Sequence, residues 1–260
     1  MIALAVVALA VLSGPPEYER ANRLFQQHQY AEAGVALDLA IKEDPKYVPA
    51  WTLRGKLAMV YSRFDFARAA FLRAVDLDPQ SPNAQFMLGF FYYVDNDFSK
   101  AVPVLETAAR LNPKDPRALL YLAMSQEGLA HPDLAAALYR QTIQLETETG
   151  KPNPETHTAY GRLLFTLGDY EQSAQQAARV LELDPASRDG HYETGRLAFE
   201  KGDYAKAAAE GELALAHPGE GTLDRQVHFL LTRAYSKLGN RALAESHRKL
   251  FEAAPPTLRR

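Results

Sequence analysis

Three histidines, His157, His191 and His228, recur at intervals of 34 and 37 residues. Evenly spaced imidazoles invite metal-binding or proton-relay chemistry. A shared ion would need ring nitrogens at about 2.0–2.1 Å from the metal, whereas equivalent places on neighbouring packed helices stand about 8–10 Å apart. The three are therefore read as packing residues, at a place that Trp51 fills earlier in the chain. The acidic pairs Asp95/Asp97 and Glu146/Glu148 suggest acid–base work, but both fall in or beside turn-rich sequence and are read as solvated loop charge. No P-loop, paired-histidine zinc helix, Gly-x-Ser-x-Gly elbow or dinucleotide glycine pattern occurs. Cysteine is absent, which removes disulfides, thiolate metal sites and thiol nucleophiles. No catalytic, cofactor-binding or metal-binding residue is assigned, and the chain is expected to be non-enzymatic.

The chemistry that remains is recognition. Arg162, Arg196 and Arg233 repeat at the same two intervals, with Phe165, Tyr192 and Phe199 beside them, and Phe86, Phe90 and Tyr93 cluster with Met124 further up the chain. Aromatic and arginine side chains dominate binding hot spots, and the arginine fork engages carboxylates in bidentate fashion. Each of these residues also has a structural reading: an aromatic at helical spacing as core, an arginine as the ion-pair partner of Glu155, Asp189 or Glu200. The net charge is -3 and neither half of the chain is basic, so nucleic acid is not an expected partner.

These residues are positioned by a repeat. Pro45, Pro79 and Pro113 are each 34 residues apart, follow Asp44, Asp78 and Asn112, and are joined by Asp184–Pro185. Frames laid back from them start at Gly14, Val48, Pro82, Pro116, Pro154, Arg188 and Arg225, with extra residues in Thr147–Asn153 and around Gly219–Gly221 read as lengthened loops. Small residues recur in columns: Gly55, Gly89, Ala123, Gly161 and Gly195 at the eighth place, Ala33, Ala67, Ala101, Ala135, Ala207 and Ala244 at the twentieth, and Ala40, Ala74, Ala108 and Ala214 at the twenty-seventh. An aromatic (Tyr30, Phe64, Phe98, Tyr170 or Tyr204) closes the first helix of a frame or opens the second. Small residues let two helices approach closely, a mid-frame glycine ends the first helix, and proline stops the second.

A 34-residue period of this kind marks a helix–turn–helix array. Trp51, Gly55, Ala67, Phe71, Ala74 and Pro79, followed by Leu88, Gly89, Tyr92, Ala101, Ala108 and Pro113, make the chain resemble the tetratricopeptide repeat family. The resemblance implies an all-α, right-handed superhelical solenoid of about seven repeats over residues 14–256, with 257–260 a mobile tail. It degenerates in the fourth frame at Thr142 and departs in the fifth at Ser173 and Val180. In such arrays the first helices line a concave groove that holds partners. Carried onto this sequence, the groove residues are Tyr18, Asn22, Phe25, Lys56, Phe86, Phe90, Tyr93, Met124, Arg162, Phe165, Tyr192, Arg196, Phe199, Phe229 and Arg233. The Lys/Asn carboxylate clamp of chaperone-tail-binding members is not matched: Asn22 is present, but Tyr18, Leu53, Asn83 and Met87 stand where its other residues would be. The expected function is a protein–protein interaction scaffold that grips a peptide or protein segment, with acidic groups over the arginine row and no cofactor. Two alternatives stay open: a targeting or specificity subunit of an enzyme complex, and a glycan-binding envelope module.

Ile2–Leu12 is an unbroken apolar run, too short to cross a bilayer as a helix, which takes about 20 residues, and of the length of a signal-peptide core. No Lys or Arg precedes Arg20, so the usual positive start of such a signal is missing. Residues 1–13 are read as an export signal to the bacterial periplasm or envelope, or else as an apolar helix packed on the first repeat of a cytoplasmic protein. Membrane contact is expected only through this segment, if it is uncleaved.

Overall fold

The structure is a computed structural model that describes residues 14–217 and 223–254. Residues 1–13, the Gly219–Gly221 insertion and the 257–260 tail lie outside the described residues. Fourteen α-helices and no strand are present among those described. The chain divides into two compact units, Met1–Leu129 and Ala130–Arg260. The first holds α1 (Pro16–Gln26), α2 (Tyr30–Glu43), α3 (Val48–Val60), α4 (Phe64–Leu77), α5 (Pro82–Val94), α6 (Phe98–Leu111) and α7 (Pro116–Gly128). The second holds α8 (Pro132–Thr149), α9 (Pro154–Thr166), α10 (Tyr170–Leu183), α11 (Arg188–Glu200), α12 (Tyr204–Ala216), α13 (Asp224–Lys237) and α14 (Arg241–Ala253). Five of the frame starts are the first residues of helices α3, α5, α7, α9 and α11, while α1 opens at Pro16 and α13 at Asp224, within two residues of theirs.

The small columns are the contacts between helices. Every alanine of the twentieth and twenty-seventh places named above is buried. At the eighth place a Cβ on Gly55 would lie 2.4 Å from the Phe71 ring, and one on Gly89 would lie 2.6 Å from Leu105. Each of these glycines is therefore the socket for a large side chain on the second helix of its own hairpin. The departures from the pattern are also absorbed: Thr142 and Ser173 are fully buried, with their hydroxyls donating to Leu138 O at 2.9 Å and Gly161 O at 2.8 Å.

Turn chemistry explains the period. Asp44, Asp78 and Asp184 each accept a hydrogen bond from the backbone N–H two residues on, beyond the proline, at 2.9–3.1 Å. This closes an Asx turn where the proline stops the helix. The fourth place of the next helix then locks the turn, because Trp51 Nε1 donates to Pro45 O at 2.9 Å and Gln85 Nε2 to Pro79 O at 2.9 Å, and His191 Nε2 lies 3.1 Å from Pro185 O. The fourth place is thus a packing column, and it locks the turn at Trp51, Gln85 and His191. His157 and His191 also reach across their hairpins, to Gln176 and Glu210, both at 2.8 Å.

Within each hairpin one residue at the fifteenth place is left-handed. Gly168, Gly202 and Gly239 have φ of 74–81°, and His28, Ser62, Asn96 and Ala130 adopt the same conformation at φ 54–60°. A side chain in that region costs about 1–2 kcal/mol, against about 0.5–1 kcal/mol for the extra freedom of an unfolded glycine. Ser62→Gly is expected to stabilise the first unit by about 0.5–1 kcal/mol, read as a higher urea midpoint. An unchanged or lower midpoint would contradict this turn geometry.

Two sequence expectations are corrected. The Thr147–Asn153 insertion is only partly loop: its first three residues extend α8, which runs 18 residues to Thr149, and the loop proper is 150–153. Glu146 is not solvated: it is 2 % exposed, takes the Thr156 hydroxyl at 2.6 Å and the Asn153 N–H at 3.2 Å, and burial raises its pKa. The extra turn of α8 carries this carboxylate inward, where it ties the loop to α9. Asp97 is the N-cap of α6.

The last hairpin carries a histidine pair. His228 Nδ1 lies 3.1 Å from His247 Nδ1, and His247 Nε2 is 3.2 Å from Glu212 Oε1, which also accepts from Tyr235 at 3.0 Å. Burial, followed by His247, lowers the His228 pKa below its ordinary 6.5, with Asp224 and Glu212 opposing and Arg188 adding to the effect. The folded state therefore favours neutral His228. Its contribution is complete above about pH 6.5 and is lost as the pH falls through the depressed folded value. Hydrogen exchange in α13–α14 is expected to accelerate from pH 7.5 to pH 5 relative to His228→Gln. Parallel profiles for the two proteins would contradict it.

Candidate binding groove

The first helices of the second unit, α9, α11 and α13, touch in succession. Their free faces form a groove of about 760 Å³. All seven of the groove residues predicted for this unit line it: Arg162 and Phe165 from α9, Tyr192, Arg196 and Phe199 from α11, Phe229 and Arg233 from α13. The fifth, ninth and twelfth places fall on one face of each helix, which the 3.6-residue turn dictates.

The arginines are not equivalent. Arg162 donates to Glu193 at 2.9 Å and to Asp189 at 2.8 Å. Burial pulls its pKa down, and these two carboxylates more than offset that, leaving it raised. Arg196 donates to the other oxygen of Glu193 at 2.7 Å and lies over the Phe165 ring at 3.9 Å. Arg233 lies over Phe199 at 4.1 Å and pairs with no carboxylate among the described residues. The structural reading of the row thus holds for Arg162, whose partner Asp189 was one of the acids named from sequence. Tyr192 is half-buried, and burial raises its pKa, the nearby arginines opposing this and Glu193 reinforcing it.

Two predicted contact residues are themselves buried, Phe199 at 8 % exposure and Phe86 at 7 %. Each ring lies under a guanidinium and shows only an edge: Arg233 over Phe199 and Arg117 over Phe86 at 4.7 Å. The twelfth-place aromatics have a further task. Phe25, Tyr93, Phe165 and Phe199 each pack on the aromatic that opens the next helix, Tyr30, Phe98, Tyr170 and Tyr204, at 5.1–6.0 Å.

In the first unit the predicted residues lie on α1, α3, α5 and α7, again first helices in succession. Phe86, Phe90 and Tyr93 gather round Tyr121 at 6.0, 4.8 and 5.2 Å. Met124 is half-buried on the same helix as Tyr121. Lys56 is half-buried on α3, and burial, with Arg117 nearby, lowers its pKa. On α1, Tyr18 packs on Tyr47 at 5.0 Å, Phe25 packs on Tyr30, and Asn22 is half-buried. These residues are not drawn into the groove of the second unit.

The sequence reading missed Tyr121 and Glu193, which organise the two clusters, along with Thr166, Gln226 and Leu230 in the groove lining; Glu200, named as a partner for the arginines, lines the groove and forms no ion pair among the described residues. Tyr121, Glu193 and Leu230 all occupy the sixth place of their frames. That column also carries Leu53 and Met87, so it reads as core from the sequence.

With this architecture in view, the comparisons agree. The chain belongs to the tetratricopeptide repeat family, whose pattern it matches over residues 18–82, 92–152 and 158–221. It is similar to the peroxisomal targeting signal receptor of Komagataella phaffii, at 23 % identity over 183 residues, 66 % of this chain and 31 % of the receptor. The chain spans about a third of the length of that curated relative. Among solved structures, a tetratricopeptide repeat protein from Parabacteroides merdae matches with a TM-score of 0.70 at 14 % identity, over 93 % of each chain. PilF of Pseudomonas aeruginosa matches at 0.68 and 15 %, over 80 % of this chain and 93 % of its own. Likeness at such identity speaks to the fold alone. The family assignment makes the chain a protein–protein interaction scaffold in the general sense.

Proposed function

We propose that the groove of the second unit holds an extended segment of a partner protein, and that the chain works by this grip and not by catalysis. The observation that carries the proposal is the convergence of seven aromatic and arginine side chains from three helices on one open groove of about 760 Å³. Phe229, 48 % exposed, offers the partner an apolar face, and Arg233, held on the Phe199 ring and not ion-paired among the described residues, offers a forked donor. The curated relative, by its name a receptor for a targeting signal, supports a receptor-like role. A targeting subunit of a larger assembly would use the groove in the same way. The apolar run at residues 2–12 supports an exported location. No helix among the described residues is long and apolar enough to cross a membrane.

Site-specific photo-crosslinking in the producing cells tests the groove. A benzophenone side chain at Phe229 is expected to capture a discrete protein adduct, and the same group at Leu213, exposed on the second helix α12, is not. Equal capture at both positions, or none at Phe229, would sink the proposal.

A further inference from the structure

The groove contains the same device twice. Arg196 is sandwiched between Phe165 of the preceding first helix, at 3.9 Å, and Tyr192 one turn earlier on its own helix, at 5.6 Å. Arg233 is sandwiched between Phe199, at 4.1 Å, and Phe229, at 5.6 Å. The two copies differ in one residue. Three positions before Arg196 stands Glu193, whose carboxylate takes both Arg196 and Arg162. Three positions before Arg233 stands Leu230, a buried apolar residue. Glu200, the other acid of the lining, forms no ion pair among the described residues. One device is therefore supplied with its carboxylate from within the chain, and the other, held on its rings in the same way and more exposed, is not.

We infer that Arg233 is the groove's open carboxylate subsite, that it receives one Asp or Glu side chain of the bound segment, and that the α9–α11 end of the groove takes uncharged side chains. This rests on the groove reading above and adds polarity and register to it. Glu193 shows what the incoming acid does, since a carboxylate within reach of a ring-held guanidinium is drawn into a charge-assisted hydrogen bond. A rigid fork loses little freedom on binding, so the contact selects for an acid and not merely for negative potential. An acid placed at the α9–α11 end would meet Glu193 and Asp189 already in possession of the donors, and be repelled.

The test uses random peptides displayed on phage as amino-terminal fusions, so that side chains are the only acids presented, selected on the full chain and on Arg233→Gln. Peptides enriched on the wild type are expected to share one acidic residue. Converting that residue to its amide is expected to weaken binding about tenfold, the scale of one charge-assisted hydrogen bond, and to have no effect on Arg233→Gln. On Glu193→Gln, which frees Arg196 while Arg162 keeps Asp189, a second acid is expected to be selected. Acid-free peptides that bind the wild type and lose binding on Phe229→Ala would overturn the subsite and leave the groove standing. An amide penalty that persists in Arg233→Gln would also overturn the subsite. Peptides indifferent to both Arg233 and Phe229 would overturn groove and subsite together.

Discussion

Phe71→Ala is expected to lower the stability of the first unit by about 3–5 kcal/mol. Phe71 is fully buried. Its ring fills the socket that Gly55 leaves on the facing helix and packs 6.0 Å from Phe91 of the next repeat. Removing the ring therefore opens a void at two interfaces, one within the hairpin and one between repeats. Helix axes pinned by neighbouring small residues cannot collapse far into that void, so the full cost of a buried aromatic is expected. In a stacked array the loss is shared with adjacent repeats. Amide exchange is expected to accelerate across α3, α4 and α5 and not in the second unit. A change confined to α4, or a cost below about 1 kcal/mol, well under that of a buried aromatic, would mean that the socket does not hold the array together.

Arg162→Met combined with Arg196→Met is expected to destabilise the second unit by about 3–5 kcal/mol, the range for stripping a buried charge of its partners. Glu193 is 4 % exposed, and both of its ion-pair partners are removed together. Adding Glu193→Met is expected to recover most of the loss, because an apolar residue of similar size leaves no orphaned carboxylate. Loss of partner binding in the double variant would therefore report on the fold and not on contact with the partner. Arg233, exposed and not ion-paired among the described residues, is the position where binding and stability separate. Equal stability of the double and triple variants would contradict the role given to Glu193.

The helical array was legible because its determinants are local and repeated. Proline after Asp, buried alanines and socket glycines recur at one period, so each frame predicts the next. The left-handed turn residue is marked by glycine at Gly168, Gly202 and Gly239 and more weakly by Asn96 and His28, types enriched at positive φ, but is hidden at Ser62 and Ala130. The groove residues at the fifth, ninth and twelfth places came from the family resemblance, carried over place by place, and helical geometry puts those places on one face. Glu193 and Tyr121 did not, because their column carries Leu53, Met87 and Leu230 in other frames and reads as core. Glu146 was misread for a different reason: its burial depends on an extra turn of α8 that meets Thr156 across a loop, a contact that no periodicity encodes.

The claim on which the rest depends is that another protein's segment lies along α9, α11 and α13. A selected peptide carrying a nitroxide, added to the isotopically labelled chain, measures this through line broadening. Broadening is expected at Phe165, Arg196, Phe199 and Phe229, residues that line the groove. Broadening centred on Ala174, Ala178 and Leu181, which line a separate cleft beside α10, would contradict it.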